Sequence, residues 1–284
     1  MNGTMIENMI EKRIVELHAI ARDVRFHIVD MIYEAQSGHP GPALSATDIM
    51  TALYFEMLKI DPQNPCMKNR DRFVLSKGHS CPVLYSVLAL RGFFPIEELK
   101  TLRRLGSRLQ GHPVAGVLPG VDATTGSLGI GACQAVGMAL EARMLGQDYN
   151  IWALLGDGEL DEGAIWETAA TAAKYKLGNL VFIVDRNGLQ SDGPCEEIMP
   201  MESIGSKFQA FNWTVMTMDG HNLQEIIETC SAASEYRDGP VCIIAKTVKG
   251  KGVSFMENSL DWHAKAPNSE QYSRAVSDLR GGRQ

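Results

Sequence analysis

The chain has 284 residues, with 27 Lys and Arg against 34 Asp and Glu and a formal net charge of −7. No cationic surplus exists to release counterions from a phosphate backbone, so composition argues against a nucleic-acid partner. Apolar residues at 45% and charged residues at 21% fit an ordinary globular chain, not a disordered or collagen-like one.

The first residues, MNGTMIENMIEKR, carry early acidic side chains and lack the apolar run and cleavage site of a signal peptide. No window approaches the roughly 18 apolar residues of a membrane helix. The expectation is a cytoplasmic protein with no membrane contact. Apolar residues then fall at Ile6, Ile10, Ile14, Leu17, Ala21, Val24, Ile28 and Met31, three or four apart. This predicts an amphipathic helical segment over 5–36, ended by Ser37-Gly38-His39-Pro40-Gly41. A coiled-coil zipper fits less well, because the seam includes Ala21 and lacks flanking charge symmetry.

Short apolar runs follow at Phe73–Ser76, Ile151–Leu155, Leu180–Val184, Trp213–Thr217 and Val241–Ala245, each bounded by Gly, Asp, Asn or Lys. They read as strands buried on both faces. Helical periodicity occupies Ser45–Leu58, Pro82–Arg91, Pro95–Arg104, Gly131–Leu145, Glu162–Lys176 and Leu223–Tyr236. The alternation predicts an α/β fold with a central parallel sheet, right-handed crossovers and helices on both faces, taken as a single domain over 1–284. Three long segments, Gly106–Ser127, Asp185–Pro200 and Thr247–Pro267, fit neither period. Loops of that length in a compact domain are usually functional, and in parallel sheets ligands bind beyond the carboxyl ends of the strands. Cys66, Cys81, Cys133, Cys195, Cys230 and Cys242 form no CxxC pair and read as reduced thiols, mostly buried.

The most informative stretch is Gly156-Asp157-Gly158-Glu159 after one predicted strand and Asp185-Arg186-Asn187-Gly188 after the next. An Asp carboxylate and an Asn carbonyl are hard oxygen ligands suited to Mg2+ or Ca2+. The glycines allow close approach of a ligand, and the amides of the following helix would face an anion sharing the metal. A metal-bridged diphosphate fits. The competing reading is a tight turn with a capping carboxylate; the pairing at one βαβ spacing favours the ligand. No GxxxxGK[ST] pattern occurs, and Gly129-Ile-Gly131 lacks the third glycine of a dinucleotide fingerprint.

GDG followed by Asn resembles the thiamine diphosphate signature. SGHPG at 37–41, KGHS at 77–80, GHP at 111–113, PGVDATTGSLGIG at 119–131, KTVKGKG at 246–252 and WHAKAP at 262–267 extend the likeness to the diphosphate-binding half of transketolases, over roughly residues 10–280. The family often has two asparagines where this chain has Arg186-Asn187. The resemblance implies a thiamine diphosphate-binding fold, with Asp157, Asn187 and the backbone oxygen of Leu189 holding Mg2+, for which Ca2+ or Mn2+ could substitute. It implies cofactor contacts from His79, Gly126, Ser127, Leu128, Gly156, Asp157, Gly158, Glu159, Asn187 and His263. His39, His79, His112 and His263 would be the catalytic histidines, moving protons and donating to developing oxyanions. His18 and His27 on the first helix read as solvated, and His221 is open to either reading. A zinc site from His39, His79 and His112 lacks a short-spaced ligand pair.

The activity implied is transfer of a two-carbon ketol unit from a ketose phosphate to an aldose phosphate. Deprotonation of the cofactor in this family needs a glutamate from a pyrimidine-binding domain, which the 284 residues do not contain. The resulting expectation is the N-terminal half of a split transketolase, inactive by itself, paired with a C-terminal subunit in a heterotetramer of two copies each. The Gly131–Leu145 helix would then be interface rather than core. Pentose, apiose-derived and sulfonated ketose donors all fit. The alternatives are the alpha chain of a 2-oxo acid dehydrogenase and a non-catalytic scaffold.

Overall fold

Five short apolar strands, each parallel to its neighbours, build the centre of the computed structural model, which describes the backbone of residues 3–281 and the side chains of 9–281. Residues 1, 2 and 282–284 and the side chain of Ile6 lie outside the described residues. In chain order the elements are α1 (Gly3–Ala35), α2 (Pro40–Ser45), α3 (Thr47–Ala52), β1 (Arg72–Leu75), α4 (Cys81–Arg91), α5 (Ile130–Met144), β2 (Ile151–Gly156) and α6 (Gly163–Lys174). Then come β3 (Leu180–Arg186), α7 (Cys195–Ile198), α8 (Ile204–Ala210), β4 (Thr214–Asp219), α9 (Leu223–Glu235), β5 (Val241–Lys246) and α10 (Ser269–Gly281).

The sheet order is β1-β2-β3-β5-β4. Strand alternation divides the apolar runs between two layers. Trp152, Leu154, Val181 and Ile183 pack with Val24 and Ile28 of α1, Leu84 and Leu88 of α4, and Ile226 of α9. Ala153, Leu155, Phe182 and Val184 pack with Ala135 and Ala139 of α5, Ile165 and Ala169 of α6, and Phe208 of α8. The α/β class with helices on both faces is therefore what the chain adopts. The connection from β4 to β5 runs back toward the sheet centre, and its helix, α9, lies on the opposite face from α5, α6 and α8. That is what right-handed crossovers require when the direction reverses.

Several elements depart from the expected pattern. The predicted 45–58 helix starts earlier, at Pro40, whose fixed φ suits a first turn, and continues as α2, α3 and a π-helical turn at Leu53–Met57. The predicted 95–104 helix is only 3-10 turns over Ile96–Thr101, with Leu99 alone buried. The helix α10 has no counterpart among the predicted elements; only Ala275 and Leu279, one turn apart, are buried along its thirteen residues. Among the described residues no helix is long and apolar enough to cross a membrane, and the six cysteines are free.

The expectation that Gly131–Leu145 is interface rather than core is corrected on one face. Gly131, Ala132, Ala135, Val136, Ala139 and Ala142 are buried, because small residues let α5 approach the sheet closely. Ile130, Met144 and Leu145 are exposed on or beside the same helix. A Cβ on Gly131 would lie 2.6 Å from the Ser76 Cα. Gly131→Ala should therefore destabilise the chain by about 1–3 kcal/mol through overpacking, despite the roughly 1 kcal/mol helix-propensity advantage of alanine. The urea midpoint at unchanged m-value checks this.

Candidate active site

The register sets the carboxyl ends of the strands level: Gly156 pairs with Asp185, and Arg186 with Lys246. The segments that follow β1, β2, β3 and β5 thus meet at one rim, where the first turn of α2 and the loop around His263 join them. Their common anchor is an ion pair between Lys77 and Asp185, at 1% and 0% exposure. Lys77 Nζ also donates to Pro42 O at 2.9 Å. Asp185 further accepts from Ser45 Oγ at 2.5 Å and from Thr247 Oγ1. Burial by itself would raise the Asp185 pKa, but the Lys77 charge and these donors hold it below the usual carboxylate range.

A second buried carboxylate ties the glycine loops together. Glu159 accepts from Ser76 Oγ, from Gly129 N at 2.8 Å and from Gly156 N at 3.1 Å. Gly78 lies so close to the 119–131 loop that a Cβ there would meet Thr125 Oγ1 at 2.6 Å.

These contacts enclose a pocket of about 300 Å³. Of the residues expected at the site, His39, His79, His263, Gly126, Leu128, Gly156, Asp157, Gly158, Glu159, Asn187 and Leu189 line it. Two expected residues stand apart from that lining. Ser127 is exposed, and His112 is exposed against Gly126, where an added Cβ would lie 3.2 Å from its ring. His18 and His27 lie on α1, away from the pocket. Three residues that line the pocket carry no clear signal in the sequence: Lys77, Lys249 and Gln190. Both lysines sit beside glycines after predicted strands, a position that reads only as turn punctuation.

The rings of His39, His79 and His263 form a triangle, with centroids 5.3, 5.4 and 5.6 Å apart. Burial lowers His39 and His263 to about 4, assisted by Arg103 at His39 and by Lys249 at His263. His79 is lowered furthest, by burial and then by Lys77. At neutral pH the three rings are therefore uncharged, each with one donor and one acceptor nitrogen. Lys249 Nζ donates to Gln190 O at 2.9 Å and to Leu189 O at 3.2 Å, and it lies 2.9 Å from His263 Nδ1. Burial, then repulsion by Lys77, lowers Lys249 to about 8.

The donor set suits a hard cation. Asp157 is 5% exposed and accepts backbone N–H groups from Gly158 at 2.9 Å and Gly188 at 2.6 Å. Two of its roughly four lone-pair sites are thereby used. Burial and the neighbouring Asp185 push its pKa up, a condition that a bound cation would relieve. The Asn187 amide donates toward Asp185 Oδ1 at 3.5 Å, which leaves its oxygen on the side of Leu189. The residues present therefore fit a magnesium-type ion between Asp157, Asn187 and Leu189. Among the described residues no group of three or more His, Cys, Asp and Glu is arranged to hold a metal, so the zinc alternative finds no cluster.

Residues 17–278 match the family described as transketolase, thiamine diphosphate binding domain. One of the two component chains of an apulose-4-phosphate transketolase from Phocaeicola vulgatus is 44% identical over 255 residues, covering 90% of each chain. A 6-deoxy-6-sulfo-D-fructose transketolase subunit of a Clostridium species is 43% identical, over 93% of this chain and 96% of its own. The solved transketolase of Campylobacter jejuni superposes with a TM-score of 0.87 at 36% identity, over 93% of this chain and 42% of that one.

The neutral histidines dictate an acid sensitivity. Free histidine titrates near 6.5, and His39 and His263 near 4 in the fold. Between those values the unfolded chain binds more protons, so stability falls as pH falls. The Tm of the chain should drop from about pH 6.5 to about pH 4, and the His39→Gln, His263→Gln double variant should show a shallower slope in that window.

Proposed function

The chain belongs to the transketolase family, through its thiamine diphosphate binding domain, and we propose that it is the diphosphate-binding subunit of a two-chain transketolase. The observation that carries this reading is the convergence of three neutral imidazoles, a lysine and a hard-oxygen ligand set in one pocket at the carboxyl ends of a parallel sheet. Near-complete mutual coverage with a relative that is itself named as a transketolase subunit supports the two-chain arrangement, in our reading a heterotetramer. The free cysteines support the cytoplasmic location.

Asp157, Asn187 and the Leu189 carbonyl would hold Mg2+, and the diphosphate would lie between that ion and Lys249. When bound, thiamine diphosphate supplies the nucleophilic carbon and electron sink of ketol transfer. Glycines 156 and 158 keep the pocket floor free of side chains where the diphosphate enters. The nitrogens of His39, His79 and His263 give and take protons at substrate hydroxyl oxygens, and their neutrality lets the same ring act as donor or acceptor. His112, beside Gly126 at the rim, meets the sugar as it enters. The family relationship argues against the 2-oxo acid dehydrogenase alternative. The two similar subunits are named for different ketose donors, which fits a shared cofactor half and leaves selection of the donor's far end to the partner chain.

Two measurements test the reading. Asp157→Ala should weaken Mg2+-dependent thiamine diphosphate binding by about 100-fold or more, since outer-shell partners alone account for about 10–100-fold in metal sites; calorimetric titration with and without Mg2+ reads this. Ketol transfer from a ketose phosphate should appear only when the chain is combined with its co-purifying partner. Full turnover by the isolated chain would overturn the two-chain reading.

A further inference from the structure

A buried charged chain behind the pocket has no part in the reading above. Asp48 of α3, 3% exposed, accepts from the Arg25 guanidinium of α1 and lies 2.8 Å from His221 Nδ1. The other ring nitrogen, His221 Nε2, accepts the Val248 N–H at 2.8 Å. A backbone amide can only donate, so Nε2 carries the lone pair and the ring proton sits on Nδ1, facing Asp48. Arg25 keeps that carboxylate ionised and aimed, and the carboxylate in turn fixes both the tautomer and the plane of the imidazole. The ring itself is held in the turn after β4 by its own amide, which donates to Asp219 Oδ1 at 2.9 Å.

What the ring grips is the loop that delivers Lys249. The segment after β5 is fastened residue by residue: Thr247 Oγ1 on Asp185, Val248 N on His221, Gly250 N on Gly41 O at 3.0 Å, and Lys251 O under Arg25 Nε at 3.2 Å. Lys249 is tied through its side chain, inside the pocket. The amide held by His221 belongs to the residue immediately before it, so the orientation of that peptide sets the direction in which the lysine leaves the backbone.

We propose that His221 is a positioning residue: locked in one tautomer by Arg25 and Asp48, it fixes the Val248 amide and so aims the Lys249 ammonium at the diphosphate of the cofactor. The assignment rests on the functional reading above for the identity of the ligand, but not for the grip on the loop. The analogous orienting of metal ligands by outer-shell hydrogen bonds sets the expected scale.

The test uses the full-length chain and three variants, His221→Ala, His221→Gln and Lys249→Met, with thiamine diphosphate and Mg2+ titrated calorimetrically. His221→Ala should weaken binding by about tenfold, at the lower end of the outer-shell range. His221→Gln, which keeps one acceptor for Val248 and one donor for Asp48, should recover most of that loss. In the Lys249→Met background the His221→Ala change should have little further effect, the non-additivity expected of groups acting through one another. A purely structural role would instead weaken binding equally in both backgrounds, and that result overturns the proposal. Amide exchange without cofactor provides the second readout: Val248 should lose protection in His221→Ala while the amides of β2 and β3 keep theirs. Unchanged protection at Val248 overturns the grip itself. If the wild-type chain binds no thiamine diphosphate, the functional reading fails, and the exchange measurement still decides whether His221 holds the loop.

Discussion

The Lys77–Asp185 ion pair is the constraint on which the rest of the site depends. Its two charges sit where water does not reach, so each must be met by protein. The partners they find come from four separate stretches of chain: Pro42 and Ser45, Lys77 itself, Asp185, and Thr247. Replacing a buried pair by apolar residues is often tolerated energetically, but removing one partner costs about 3–5 kcal/mol. The pair therefore acts less as a source of stability than as a pin. With it in place, His79 two residues from Lys77, Asn187 two residues from Asp185, and Lys249 two residues from Thr247 have little freedom left in where they stand.

The electrostatics of the pocket differ from those of the whole molecule. A chain with net charge −7 offers an anion no general attraction. Within the rim, however, Lys77 and Lys249 are both buried, and the imidazoles near them stay uncharged. Positive charge is thus confined to two defined points and is not spread over the histidines. Lys77 is already balanced by Asp185, so Lys249 is the ammonium left to meet an incoming anion. The Arg25–Asp48–His221 chain lies immediately behind that ammonium.

Much of this arrangement is legible in the residues, for identifiable reasons. The strands are legible because each is a short apolar run buried on both faces, and the metal-type ligands because Asp157 and Asn187 follow successive strands at one βαβ spacing. The trio His39, His79 and His263 is legible through its neighbours in short Gly- and Pro-containing motifs. Lys77 and Lys249 are not, because a lysine beside glycine is the ordinary composition of an exposed turn; only the fold shows that their Nζ atoms point inward. Equally, α10 is hidden because it docks through two residues, Ala275 and Leu279, too few to raise a helical period above its polar background. The double character of α5 is obscured for the opposite reason: its alanines and glycines signal close packing but do not say on which side.

The strand order carries a consequence for how the chain reaches this state. The inner position beside β3 is filled by β5, and β4, made earlier, pairs only with β5. Until Val241–Lys246 leaves the ribosome, a nascent chain holds β1, β2 and β3 with the outer edge of β3 unpaired, and that edge belongs to the run Leu180–Val184, fully buried in the finished protein. Open apolar edges of this kind recruit other strands. Synthesis of the stretch between β3 and β5 is thus the interval in which the molecule is most prone to aggregate, and insertion of a single six-residue strand closes it.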